Sequence, residues 1–194
     1  MSNSSLEKCL NDIYNKECLE EAYNFSKKFS ICRKVQVGGL YELPDQTRYL
    51  TSNSGGGHGQ NINCVKDGKC HKQEVTGIYE SCEETRPFCA SVHCEVKMVN
   101  MLKDTSYKGK PVDTSIGIMY VTRYPCIDCI THLAEAGFKH VVYGGRQEIS
   151  DDVKKVISDN NMDIIWYPEV DHELHTMTTE EHNLIIEDAN CSHK

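Results

Sequence analysis

A chain of 194 residues is the length of one domain with a sizeable core, and 39% apolar with 26% charged residues excludes a disordered or fibrous polypeptide. Its 21 basic and 29 acidic side chains give a net charge of −8, a field that repels long nucleic acid. A local pocket can still hold one phosphate, which needs only one or two cations or a few backbone amides.

No apolar run is long enough to cross a bilayer, and Met1-Ser2-Asn3-Ser4-Ser5 lacks the apolar core of a secretory signal, so a cytoplasmic protein with no membrane partner is expected. Eleven cysteines, an odd number, point in a reducing compartment to metal sites before disulfides.

Apolar residues recurring at three- and four-residue steps from Leu6 to Phe29 predict an amphipathic, core-facing helix with Ser4 or Ser5 as its cap. Arg33–Tyr41 and Thr47–Thr51 read as a β-hairpin turned by Pro44-Asp45. The second strand runs into Ser52-Asn53-Ser54-Gly55-Gly56-Gly57-His58-Gly59, where the glycines suit either close backbone approach to a ligand or a flexible linker. Residues 60 to 91 form a long connection without periodicity that holds Cys64, Cys70, His71, Cys82 and Cys89.

A helix is predicted from Ala90 to Leu102 with His93 and Glu95 near its start, then a polar loop from Lys103 to Thr114. Ser115–Thr122 is an apolar strand that leads to Cys126 and Cys129 at the first turn of a helix, Ile127–Ala136, ended by Gly137. A strand at His140–Tyr143, a helix at Asp151–Asn160 capped by Ser150 and a strand at Met162–Tyr167 follow, with a further helix near Thr178–Asp188 in a tail containing several His. Strands alternating with helices in this half imply a largely parallel α/β arrangement.

One His with a Cys-x-x-Cys pair gives three soft ligands, the number a catalytic zinc uses when its fourth position stays open, whereas structural zinc takes four. Those residues are His93, Cys126 and Cys129. Glu95, two residues past His93, is poorly placed as a ligand and well placed to move protons near the metal. A plain zinc knuckle or redox pair is the simpler alternative, but it leaves Glu95 and Pro125 without a role.

The His93-Cys94-Glu95 and Pro125-Cys126-Ile127-Asp128-Cys129 pair resembles the H-x-E and P-C-x-x-C signature of zinc-dependent nucleobase deaminases. Tyr120–Cys126 and Ala136–Tyr143 resemble the deoxycytidylate (dCMP) deaminase branch, over about residues 30 to 168 of a single domain spanning 1–194. The resemblance implies a cytidine-deaminase-like fold, a three-layer α/β/α sandwich with a five-stranded mixed sheet. It also implies conversion of dCMP to dUMP and ammonia, with zinc on His93, Cys126 and Cys129 and with Glu95 passing protons to the pyrimidine N3 and the leaving ammonia. Relatives commonly form homo-oligomers.

By the same resemblance Asn53 aligns with the Asn of a nucleotide-contacting loop, although Ser52 and Ser54 replace the usual Tyr and Gly. Backbone amides of Ser54 to Gly57 and the Arg123 side chain are then expected to hold the phosphate, with Asn53 hydrogen-bonding the sugar. Some relatives carry a second zinc in the region 60–91, and Cys64, Cys70 and Cys89 resemble its ligands, with Cys82 or His71 as the fourth. The chain departs from the usual pattern at Cys94, where Ala is common, and at Lys97, where Asn is common. Lys97 is either a solvated helix residue or a sign of altered substrate or subunit contacts.

Three rival readings remain at this point. A deaminase of another cytosine or purine nucleoside or nucleotide shares every motif. A zinc-stabilised binding module without catalysis would not need Glu95. An editor of RNA or single-stranded DNA would need a basic groove, which the net charge disfavours.

Overall fold

The computed structural model describes residues 12–55, 62–78, 86–145 and 149–167. Five strands form one mixed sheet: β1 (Gly38–Glu42), β2 (Arg48–Ser52), β7 (Ile118–Val121), β8 (His140–Tyr143) and β9 (Asp163–Trp166), in the order β2-β1-β7-β8-β9. β1 runs antiparallel to β2 and β7, while β7, β8 and β9 run parallel. Short pairs lie outside it: β3 (Ser54–Gly55) with β4 (Ser91–Val92), and β5 (Ser106–Tyr107) with β6 (Lys110–Pro111).

Side chains alternate across the sheet with the two-residue strand period, so each strand supplies two cores. Leu40, Ile118, Tyr120 and Val142 meet helix α1 (Asp12–Phe29) through Cys18, Leu19 and Ala22. Their neighbours Tyr41, Met119, Val121 and Val141 face Met98, Val99 and Leu102 of α3 (Cys94–Lys103), Ile130 and Leu133 of α4 (Ile127–Glu135), and Val153 of α5 (Asp151–Asp159). This is the expected α/β/α sandwich on a five-stranded mixed sheet.

Contact between α1 and the sheet depends on Gly38, where a Cβ would fall 1.9 Å from the carbonyl oxygen of Ala22. α4 ends at Ala136 followed by Gly137 at φ +88°, and α5 is capped by Ser150, whose Oγ accepts from the Val153 amide at 3.4 Å.

The structure corrects several element boundaries. β1 starts at Gly38 instead of Arg33, because the preceding segment bends around Asn53: the Val37 amide donates to Asn53 Oδ1 and Asn53 Nδ2 donates to the Val35 carbonyl. The motif helix begins at Cys94, since Ser91 and Val92 are extended and pair with Gly55 and Ser54. The connection after residue 60 holds a short helix α2 (His71–Thr76) and a 3-10 turn (Arg86–Phe88). The 103–114 loop contains the β5–β6 hairpin, turned by Lys108 at φ 51° and Gly109 at φ 75°, the paired positive angles of a tight hairpin turn.

Residues 6–11 of the first predicted helix, the predicted helix at 178–188, and the glycine-rich stretch beyond Gly55 up to residue 61 lie outside the described residues. No helix among the described residues is long and apolar enough to cross a membrane.

Candidate metal centre

The site lies where two helices begin on one face of the sheet. His93 occupies the N-cap of α3 and Cys126 the N-cap of α4, both with extended backbone and neither with a side-chain capping bond. Cap positions normally go to Ser, Thr, Asp or Asn, whose oxygens satisfy first-turn amides. Here two ligand-type side chains take those places instead, the kind of local departure expected at a functional site. β7 leads directly to Cys126, and the first turn of α4 places Cys129 beside it.

His93, Cys126 and Cys129 bring their donor atoms within 4.8 Å of one another. The Nδ1 of His93 lies 3.2 Å from Cys129 Sγ and 3.7 Å from Cys126 Sγ. Donors on a tetrahedral zinc, with bonds of about 2.0–2.3 Å, stand roughly 3.5–3.8 Å apart, so the trio fits that ion with a small outward adjustment at Cys129. Cys129 is buried, Cys126 half-buried and His93 exposed, which leaves the site open on the histidine side.

The electrostatics agree with a cation-binding group. A hydrogen bond from Cys129, helped by His93, draws Cys126 down to about 4, while Cys129 is pushed up by that same bond and by burial. His93 is raised, first by its bond to Cys126. The three groups share protons around one thiolate, and a divalent metal can replace those protons. The positive ends of α3 and α4 favour the same negative charge.

Glu95 sits in the first turn of α3 and is 4% exposed. Burial raises its pKa, opposed by the nearby His93, so the carboxyl binds a proton more readily than a surface glutamate. Cys94 Sγ donates to Glu95 Oε2 at 3.2 Å, and the Cys94 carbonyl accepts from Thr51 Oγ1 at 3.0 Å, which ties the motif to β2.

Asn53 is 5% exposed at the end of β2. Its Oδ1 accepts from Ser30 Oγ at 2.6 Å and from the Val37 amide at 2.9 Å, and its Nδ2 donates to the Val35 carbonyl at 2.5 Å. That amide therefore fixes the segment between α1 and β1. Ser54 follows in β3 and accepts a hydrogen bond from Lys97 Nζ. Arg123 is partly exposed just beyond β7, with its backbone beside Gly145.

Of the other predicted ligands, Cys82 lies outside the described residues, while Cys64, Cys70 and Cys89 are free thiols in one neighbourhood. Sequence reasoning missed Cys32, which joins them. Cys32 is half-buried, and its pKa is raised first by burial and further by the nearby Cys89 and Cys70, against the lowering effect of the Val35 and Lys34 backbone amides. Cys64 Sγ accepts from the His71 amide at 3.5 Å, and the Val65 amide donates to the Ile31 carbonyl, which ties the 62–78 segment to the chain around Cys32. Among the described residues no three of these sulfurs lie as close together as the His93 trio. Lys34 and the buried Lys72 flank the cluster, and Lys34 is lowered to about 8, chiefly by burial, against the pull of Cys70.

No family model and no curated protein matches this sequence. Solved structures do. The chain is similar to the dCMP deaminase of cyanophage S-TIM5 in complex with dCMP and dUMP, at 18% identity and a TM-score of 0.54, over 81% of this chain and 98% of that one. The apo form of the same enzyme gives a TM-score of 0.53 over 81% of this chain and 99% of that one, again at 18% identity. A diaminohydroxyphosphoribosylaminopyrimidine deaminase/5-amino-6-(5-phosphoribosylamino)uracil reductase from Thermotoga maritima has a TM-score of 0.50 at 14% identity, over 89% of this chain and 40% of that one. The protein therefore has the cytidine-deaminase fold.

Proposed function

We propose that the chain is a zinc-dependent deaminase that hydrolyses dCMP to dUMP and ammonia. The observation that carries this reading is the His93, Cys126 and Cys129 trio with buried Glu95 on the same helix start. His93, Cys126 and Cys129 would hold the zinc, which supplies Lewis acidity that makes water nucleophilic near neutral pH. Glu95 takes one proton from the water as its oxygen bonds to C4 and delivers it to N3 of the pyrimidine, then takes the second proton from that oxygen and passes it to the amine, which leaves as ammonia when its bond to C4 breaks. Its burial suits it to that exchange, because a desolvated carboxyl alternates between charged and neutral forms closer to neutral pH than an exposed one.

Substrate recognition in this reading lies along β3 and the end of β7. Ser54 and Arg123 contact the nucleotide, and Asn53 contributes by holding the loop in shape. The enzyme works in the cytoplasm, in pyrimidine deoxynucleotide metabolism, as a homo-oligomer. The test compares substrates. A site built around a phosphate leaves its own donors unpaired when that group is missing, so dCMP is expected to exceed deoxycytidine in kcat/KM by about 10²-fold or more. Equal efficiency would move the protein to nucleosides, and preference for a cytosine-containing oligonucleotide would favour the editing class.

A second, structural zinc belongs to the same proposal, with Cys32 joining Cys64, Cys70 and Cys89 as ligands. Its support is the amide-to-sulfur bond at Cys64, the closeness of Cys32 to Cys70 and Cys89, and the flanking Lys34 and Lys72, whose charges would offset four thiolates on one divalent ion. Metal analysis of the purified protein is expected to give about two zinc per chain. Cys32→Ser and Cys64→Ser should each bring that to about one, with the His93 site still loaded. A native content near one would contradict it.

A further inference from the structure

We infer that Lys97 is a specificity-determining residue, the cation that makes this site select a substrate bearing a phosphate. The inference deepens the proposed deaminase reading and rests on it for the identity of the reaction.

Lys97 lies one helical turn beyond His93 on α3, and its amide donates to the His93 carbonyl at 3.1 Å, so the two side chains emerge from the same face of the helix. Its ammonium reaches β3, where Nζ donates to Ser54 Oγ at 2.5 Å and to the Gly55 carbonyl at 2.9 Å. Ser54 is paired with Val92, the residue before His93. The charge is thereby held on β3, whose partner strand β4 runs directly into His93.

Two features separate this lysine from a solvated helix residue. Partial burial lowers its pKa, with no carboxylate contributing to the shift, and among the described residues it forms no ion pair. Both oxygens that fix it are neutral. A lysine ammonium has three donors, and Ser54 and Gly55 take two of them. The third is left for a ligand at the open side, beside the exposed Gly55. An ammonium desolvated against two neutral oxygens gains most from an anion, and a phosphate monoester supplies two negative charges and several acceptors. In a chain of net charge −8 such a fixed cation also offsets the repulsion that an anionic substrate meets.

The experiment uses Lys97→Gln, whose amide can still donate to Ser54 and Gly55 but carries no charge, and Lys97→Arg, which restores the charge. Zinc content serves as the check that each variant is folded. For Lys97→Gln the preference for dCMP over deoxycytidine in kcat/KM is expected to fall by about 10- to 100-fold, mainly through KM for dCMP, and Lys97→Arg should recover most of it. In parallel, calorimetry with inorganic phosphate on the zinc-loaded protein should show binding weakened about tenfold in Lys97→Gln. A residue that merely strapped the loop would lower both substrates together and leave phosphate binding unchanged, and that result would overturn the inference. If the native protein released no ammonia from dCMP, the deaminase reading would fall, and the phosphate measurement would still decide the role of Lys97.

Discussion

Glu95→Ala is expected to retain zinc as the native protein does and to lose turnover by about 10³-fold or more, toward the upper end of what one positioned acid–base group contributes. The separation follows from the geometry. The donor trio is made by His93, Cys126 and Cys129 without Glu95, while Glu95 is the carboxyl buried in the first turn of α3. Removing it takes away the proposed proton-moving group and leaves the donors in place. Metal analysis beside an ammonia-release assay reads both quantities, and near-normal turnover in Glu95→Ala would refute the assigned role.

Cys126→Ala should do more damage, because it removes one of the three grouped donors and the residue that opens α4. The variant is expected to lose stoichiometric zinc, to lose activity with it, and to melt several degrees below the native protein. A metal that binds only the folded state adds its binding free energy to stability, so losing the metal forfeits that contribution. Cys126 is the more readily ionised of the two thiols, drawn down to about 4 by Cys129 and His93. Added zinc should raise the melting temperature of the native protein and not of the variant. An equal rise in both would show that Cys126 is not a ligand.

The centre was legible in the sequence because its chemistry is local. Glu95 follows His93 by two residues and Cys129 follows Cys126 by three, so the grouping of side chains shows in spacing before the helices are folded. The sheet was legible for a similar reason: the unbroken apolar run Ile118–Val121 of β7 marks a strand buried on both faces. What escaped depends on tertiary contact. Cys32 precedes the β1–β2 hairpin and comes near Cys70 and Cys89, which follow it, and no spacing rule connects them. Asn53 was singled out by its alignment with a nucleotide-contacting loop, and nothing in the sequence signals that its amide also bonds to Ser30, Val35 and Val37. The strand at Ser91–Val92 was invisible because its partner, Ser54–Gly55, lies nearly forty residues earlier and only two residues pair. Lys97 read as a departure from a pattern, and only its bonds to Ser54 and Gly55 give that departure a physical content.

The measurement that tests the central claim most directly is ammonia release by the zinc-loaded protein from a panel of nucleotides: dCMP, CMP, dAMP and dGMP. The account predicts ammonia and an equal amount of dUMP from dCMP, little from either purine, and loss of the activity when a chelator strips the metal. Release from a purine nucleotide with none from dCMP, or turnover of dCMP that survives complete removal of the metal, would contradict it.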